Sequence, residues 1–230
     1  MADPPPDRLI ASGRAADVYD LGDGTVLRRY RDDGHDVDEE ARVMRYVAAH
    51  GVRVPEVVAA HDRDLVMERI AGRTLLEELA ERPTRLLGAG RLVAELQARL
   101  ADIEAPEWMM PPGWESSGRA ATDQRVLHLD LHPMNVMVSD DGPVLIDWTN
   151  AAGGPPGFDA AMTCVLVATY EATEWHQQLA RRLFLARFRR TRGTRIIAPF
   201  MAAACDHRLA DRNVTPGERE RVAELRRKVV

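Results

Sequence analysis

The stretch at 126–148, VLHLDLHPMNVMVSDDGPVLIDW, constrains this chain more than any other part of it. Two short apolar runs flank Ser-Asp-Asp-Gly-Pro, and an Asp-Gly pair between such runs is a strong local signal for a β-hairpin. With Asp141 and Gly142 as the loop residues, Asp140 pairs with Pro143. Counting outward then sets Val136 opposite Asp147 and Asn135 opposite Trp148. An amide oxygen and a carboxylate would stand side by side at the open end of the hairpin. Hard oxygen ligands with coordination positions left over suit Mg²⁺ held jointly with a phosphate chain. Asp130 lies five residues before Asn135, on a loop that follows a strand, where it can accept a proton from a hydroxyl. His128 would brace that loop. Each residue alone has a plainer reading: Asp130 as a cap, Asn135 as a turn residue, Asp147 as a strand end. All three at this spacing are poorly explained that way.

Composition removes several alternatives. Of the 31 basic residues, 30 are arginine, and the one lysine is Lys228. A Walker A phosphate loop, a Schiff-base lysine and an internal catalytic lysine are therefore excluded. At 230 residues, 45% hydrophobic and 29% charged, the chain can bury a core as one large domain or two small lobes. A formal charge of −5 argues against a general nucleic-acid binder. Cys164 and Cys205 sit in apolar, Ala-rich runs with no metal-ligand spacing, and two cysteines are too few for a disulfide framework. They read as small buried hydrophobes in a reducing cytosol. The segment MADPPPDR lacks the apolar core of a signal peptide, and AAMTCVLVATY is too short to span a membrane. A soluble, cytoplasmic protein is expected.

Alternating segments at 8–30, broken by Gly22-Asp23-Gly24, predict three strands. A helix follows at about 36–50, ended by Gly51, and then strands at VPEVVAAH and DLVMERI. Strong helix formers dominate from Thr74, a Pro- and Trp-bearing loop occupies 104–118, and everything after Asp159 reads helical. Trp175, Leu179, Leu183 and Ala186 recur at helical spacing, which predicts that they form the buried face of an amphipathic helix with a solvated basic side. The expected organisation is a β-rich lobe at 1–70 and a larger helical lobe at 71–230 that contains the catalytic loop and hairpin. Residues 1–150 carry 17 basic and 28 acidic side chains; residues 151–230 carry 14 and 8.

On the H-x-D-x-x-x-x-N spacing and the apolar-apolar-Asp run that follows it, the sequence resembles the aminoglycoside phosphotransferase-like branch of the protein-kinase-like superfamily. The resemblance implies a bilobal α+β fold, ATP and Mg²⁺ as cofactors, and transfer of the γ-phosphate to a hydroxyl. By motif, Asp130 is the base or hydroxyl-positioning residue, Asn135 and Asp147 hold Mg²⁺, and His128 is structural. Upstream, ASGRAADVY falls where the family has its phosphate-covering turn, with Gly13 as the only glycine. Val26 and Arg28 match the apolar residue and the lysine of the nucleotide-holding strand. Arg28 would bridge the phosphates and a helix carboxylate, Glu40 in preference to Glu39, because a guanidinium forms forked bonds to both. The plainer alternative makes Arg28 an exposed strand residue in an Arg-rich chain. LVMERIAG resembles the hinge, with the backbone of Glu68 and Ile70 bonding adenine. Asp159 reads most simply as a helix cap, while the family has a matching Asp that braces the catalytic loop.

Only eleven residues separate Asp147 from Asp159, with no A-P-E-like sequence, which leaves no room for a protein-kinase activation segment. A small-molecule acceptor is expected, with neither membrane nor nucleic acid as partner. Seven arginines between 181 and 195 favour a neutral or anionic acceptor over a polycation. Trp108 to Pro112, with Trp114, would line an acceptor pocket or form an interlobe or dimer contact. Two alternatives stay open: a non-catalytic nucleotide-binding regulator, supported by the arginine at position 28 and the single glycine, and a compact atypical protein kinase.

Overall fold

The computed structural model describes residues 6–32, 34–110 and 124–229. In chain order the strands and helices are β1 (Leu9–Ser12), β2 (Ala16–Asp20), β3 (Thr25–Tyr30), α1 (Val37–Ala49), β4 (Val57–His61), β5 (Asp64–Glu68), β6 (Arg73–Thr74), α2 (Leu75–Glu81) and α3 (Leu86–Ala101). After these come β7 (Arg125–Leu127), β8 (Val136–Ser139), β9 (Gly142–Leu145), β10 (Ala152–Gly154), α4 (Pro156–Thr169), α5 (Trp175–Arg192), α6 (Thr194–Ile197), α7 (Met201–Ala210) and α8 (Pro216–Lys228). The fold is α+β, rich in sheet in its N-terminal part and helical in its C-terminal part. Two compact units account for it: Met1–Gly72 with Met137–Thr149, and Arg73–Val136 with Asn150–Val230. None of the helices among the described residues is long and apolar enough to cross a membrane.

The first unit is built on an antiparallel sheet of order β1-β2-β3-β5-β4. The expected glycine turn joins β2 to β3, with Gly22 at φ 83 and Gly24 at φ 87, conformations an L side chain adopts only under strain. Asp23 stabilises the turn by accepting the Thr25 N–H at 3.0 Å. β3 is central. Arg28 lies opposite Val18 on one side and Leu65 on the other, and Val26 opposite Asp20 and Met67. The period of two places Val26, Arg28 and Tyr30 on one face, with Val26 and Tyr30 buried. Helix α1 starts where Asp36 accepts the Glu39 N–H at 2.9 Å, packs against β4 and β5, and buries Val43, Met44 and Val47.

The hairpin at 136–145 departs from expectation. Its loop residues are Asp140 and Asp141, with Gly142 already the first residue of β9 at φ 111. Closing the turn one step later would require an N–H from Pro143, which proline lacks. Ser139 Oγ also donates to the Gly142 carbonyl at 2.8 Å across the turn. The pairing counted outward from Asp141-Gly142 therefore does not hold. Asp147 lies beyond the end of β9, in the left-handed region at φ 65.

In the second unit α3 packs closely on α5. A Cβ on Gly90 would fall 2.7 Å from the Phe184 carbonyl, so glycine permits the approach. Helix α4 is apolar on all sides and is buried along most of its length against α5, α7 and α8. The buried face of α5 is Phe184, Leu185 and Phe188, not the expected stripe: Trp175, Leu179 and Leu183 are 73%, 47% and 40% exposed. Both sets share a helical period, but the face that closes on Gly90 becomes the core. Cys164 and Cys205 are buried free thiols.

Candidate active site

Asp130 and Asn135 belong to the second unit, on the segment that follows β7. Asn135 ends a 3-10 turn, Pro133–Asn135, whose cap is His132. The Asn135 side chain donates Nδ2 to the Asp130 carbonyl at 2.9 Å and to Asp130 Oδ2 at 3.2 Å. Both partners are acceptors only, so the amide nitrogen must face them, and Oδ1 points the other way. His132 Nδ1 accepts the Met134 N–H at 3.3 Å, which puts the ring proton on Nε2, 3.7 Å from Asp130 Oδ1.

Just before Asp130 the backbone is strained: Leu129 has φ 61. Its N–H is donated to Asp159 Oδ1 at 2.8 Å. Asp159 is not the cap of α4, because that helix begins at Pro156 with Pro155 as its cap. It sits in the first turn, fully buried with His128, and ties down the loop. Burial pushes the Asp159 carboxyl above its ordinary range; His128, the Leu129 and His128 N–H groups and Gln97 pull the other way. Arg192 also faces Asp159 and Asp102, its guanidinium lowered by burial.

The other group of candidates lies in the first unit. Arg28 is not an exposed strand residue: its side chain is 12% exposed and the Glu40 side chain 2%. Arg28 Nη1 donates to Glu40 Oε1 at 2.9 Å and Nη2 to Asp147 Oδ1 at 2.7 Å. Burial alone would lower the Arg28 pKa, but the Asp147 and Glu40 carboxylates outweigh it and hold the guanidinium firmly charged. The partner of Arg28 is Glu40, as expected; Glu39 instead donates its N–H to the Asp36 cap.

Two residues here were missed by sequence reasoning. Tyr30 Oη donates to Glu40 Oε2 at 2.6 Å and lies 2.7 Å from Thr149 Oγ1, and Thr149 donates to Asp147 Oδ1 at 3.0 Å. The Arg28 guanidinium also lies over the Tyr30 ring, 4.9 Å from its centroid. Tyr30 is two residues past Arg28 on a strand and Thr149 two past Asp147, so strand alternation was the signal for the first. Burial raises the Tyr30 hydroxyl well above its ordinary pKa, with Arg28 opposing and Glu40 reinforcing the rise. The Trp148 N–H, donated to Glu40 Oε1 at 3.2 Å, completes the coordination of that carboxylate.

Gly13 donates its N–H to the Ala16 carbonyl at 2.8 Å, and Arg31 binds the Gly13 and Arg14 carbonyls at 2.8 and 2.9 Å. Arg31 and Ser12 also hold the Asp17 carboxyl below its usual range. Glu68 forms a forked pair with Arg53 at 2.6 and 2.8 Å, and its N–H is taken by the Glu56 carbonyl at 2.8 Å. Ile70 is half-buried just beyond it. Trp108 is half-buried and Met109 buried in a 3-10 turn, Glu107–Met109, whereas Trp114 lies outside the described residues.

A braced Asp-Asn loop in one unit, together with a strand cation paired to a helix carboxylate in the other, is the combination that the sequence resemblance implied. The model of the phosphotransferase enzyme family matches residues 7–124 and 114–200. The chain belongs to that family. Among solved structures, a thermostable mutant of the aminoglycoside phosphotransferase APH(4)-Ia, in its apo form, aligns with a TM-score of 0.64 at 16% identity. The alignment covers 96% of this chain and 93% of that one. The gentamicin complex of APH(2")-IIa aligns with a TM-score of 0.62 at 12% identity, covering 96% and 88%. The amicoumacin kinase hAmiN, in complex with AMP-PNP, Ca²⁺ and Ami, aligns with a TM-score of 0.58 at 13% identity, covering 98% and 88%. At these identities the structural likeness is one of fold. No curated protein matches in sequence. The chain is thus a member of a phosphotransferase family and shares the fold of these kinases.

Asn135 and Asp147, which belong to different units, each carry a hard oxygen donor of the kind that magnesium takes. Among the described residues no group of three or more His, Cys, Asp or Glu could hold a metal by itself.

Proposed function

We propose that this phosphotransferase moves the γ-phosphoryl group of ATP, with Mg²⁺, to a hydroxyl of a small molecule. The observation that carries the proposal is the Asp130–Asn135 pair. Asn135 is turned by its two bonds to Asp130 so that its Oδ1 is directed away, and the Asp130 carboxylate is kept in register with that oxygen. A loop used only to bind nucleotide would not need Asp130.

Asp130 orients the acceptor hydroxyl and takes its proton as the oxygen attacks. His132 Nε2 stands 3.7 Å from Asp130 Oδ1, beside the carboxylate that does this work. Asn135 and Asp147 are the residues that would hold Mg²⁺, which when bound neutralises the phosphate oxygens. Arg28, fixed by Glu40, presents a fork matched to phosphate oxygens, and this explains why arginine can replace the lysine. Gly13 lies on the phosphate-covering turn, Val26 packs on the nucleotide, and adenine meets the Glu68 carbonyl and the Ile70 backbone. The Glu68 N–H, already bonded to Glu56, is not available to the base. Phosphoryl transfer asks chiefly for positioning and charge neutralisation, so few side chains suffice.

Two of the neighbouring structures are a gentamicin complex and an amicoumacin kinase in complex with AMP-PNP, Ca²⁺ and Ami. In this chain residues 151–230 carry 14 basic and 8 acidic side chains, which favours a neutral or anionic hydroxyl compound over a polycation. The short link from Asp147 to α4 argues against a protein acceptor.

One observation favours a second reading. Arg28 pairs directly with Asp147 at 2.7 Å, so the carboxylate already has a cation, as in a protein that binds nucleotide without using a metal. Incubation with γ-labelled ATP, Mg²⁺ and a panel of hydroxyl compounds separates the two. Transfer by the wild type, reduced by orders of magnitude in Asp130→Ala with nucleotide affinity retained, is expected. Full turnover in Asp130→Ala would remove the role given to that residue, and nucleotide binding without transfer to any acceptor would favour the regulator.

A further inference from the structure

We infer that Thr163 is a positioning residue, whose hydroxyl clamps the backbone just after Asp130 as the Asp159 carboxylate clamps it just before. The inference rests on the proposed role of Asp130 in orienting the acceptor hydroxyl. It goes beyond that role by assigning the orientation to a side chain outside the motif. All of the residues concerned lie in the second unit.

Asp130 stands between two residues whose backbone groups are tied to α4. The Leu129 N–H is donated to Asp159 Oδ1 at 2.8 Å, and the Leu131 carbonyl accepts the Thr163 hydroxyl at 2.8 Å. Asp159 and Thr163 are four residues apart, so they share one face of the helix, separated by about 6 Å along its axis. Two residues of chain span at most about 7 Å, so these anchors match the stretch from 129 to 131. The two Asn135 bonds tie Asp130 to its own loop, whereas the two α4 bonds tie that loop to the core. One anchor would fix a point on the chain. Anchors on both sides fix the direction in which the Asp130 carboxylate leaves it.

Thr163 directs its proton in an unusual way. Inside a helix a threonine hydroxyl can bond the carbonyl four residues back. Thr169 does so with Val165 at 2.8 Å, and Thr191 of α5 with Arg187 at 3.0 Å. The Thr163 hydroxyl instead crosses to the loop. Its aim is set from α3, where Gln97 Nε2 donates to Thr163 Oγ1 at 3.1 Å. That contact occupies a lone pair and leaves the single hydroxyl proton for Leu131. Thr163, Gln97 and Leu131 are all buried, so water does not compete for the bond. Gln97 also favours the ionised form of Asp159, so one α3 side chain serves both anchors.

The test measures ADP release from ATP and Mg²⁺ by the full chain, with water as the accepting oxygen. Wild type, Thr163→Val, Thr163→Ser and Thr163→Ala are compared, with Asp130→Ala as the reference for a lost Asp130. Turnover is counted per ATP-binding molecule, which separates misplacement of Asp130 from a loss of folded protein. Thr163→Val replaces the hydroxyl by a methyl and is expected to lower kcat about tenfold or more, with KM for ATP within about twofold of wild type. Thr163→Ser is expected to restore most of the kcat, and Thr163→Ala reads the same loss if the valine variant fails to fold. Amide hydrogen exchange of the loop at 128–136 is expected to accelerate in Thr163→Val and not in Thr163→Ser, with α3 and α4 still protected. An unchanged kcat in Thr163→Val overturns the inference. So does a raised KM with kcat kept, or a serine variant as impaired as the valine. No ADP release by wild type, or turnover that survives in Asp130→Ala, overturns the reading of Asp130 instead, and neither result depends on Thr163.

Discussion

The strained N–H of Leu129 is held by the carboxylate of Asp159, 2.8 Å away and thirty residues later in the chain. The residue before Asp130 is thus fixed by the first turn of a buried helix. Removing that acceptor orphans the buried N–H of Leu129. Asp159→Ala is expected to cost about 1–3 kcal/mol. Urea unfolding measures it, and a variant within about 0.5 kcal/mol of wild type would contradict the bracing role.

The same carboxyl makes a pH prediction. Burial raises the folded-state pKa of Asp159 above its ordinary value of 3.8, so the native state holds this proton more tightly than the unfolded chain. The stability it contributes is complete below that value and is lost as pH rises through the folded pKa. Asp159→Asn removes this dependence. The stability difference, wild type minus Asp159→Asn, is expected to fall from about pH 4 upward and then level off. A difference that rises with pH would contradict the direction of the shift.

Arg28 holds a carboxylate that is almost fully buried. Arg28→Ala leaves Glu40 without its cation and is expected to destabilise the protein by about 3 kcal/mol or more. Arg28→Lys retains one charge but cannot reach Glu40 and Asp147 with two separate amines. It is expected to lose less stability than Arg28→Ala, with a raised KM for ATP. Equal stability of wild type and Arg28→Ala, measured by thermal unfolding, would show that the pair carries no structural weight.

Helix α5 separates what a pattern promises from what packing selects. Phe188→Ala is expected to cost about 3–5 kcal/mol, because the ring is fully buried. Trp175→Ala, at a residue 73% exposed, is expected to change stability by no more than about 0.5 kcal/mol. Denaturant midpoints of the two variants check this directly, and the reverse order would restore the face expected from spacing.

These contrasts mark how far the amino-acid sequence can be read. The three strands around Gly22 and Gly24, the helix capped by Asp36 and the pairing of Arg28 with Glu40 were legible, because each is set by local chemistry or by a motif of fixed spacing. The hairpin turn was misplaced by one residue, although Pro143, lacking an N–H, carried the information to place it. Asp159 left two readings open, since a buried acceptor and a helix cap use the same side chain. The buried face of α5 was not legible: Trp175–Leu179–Leu183 and Phe184–Phe188 both recur at helical spacing, and only the close approach at Gly90 selects between them. Thr149 gave no signal of its own, because its contacts are made by a backbone conformation, φ 65 at Asp147, that no spacing rule encodes.

The most direct test of the central claim is thermal unfolding with ATP, with and without Mg²⁺, on wild type and Asp147→Asn. A ligand at a hundred times its dissociation constant stabilises the native state by about 2.7 kcal/mol, a readily measured shift. The account predicts a Mg²⁺-dependent shift in wild type that is lost in Asp147→Asn. An equal shift in both proteins, or none with any nucleotide, would contradict it.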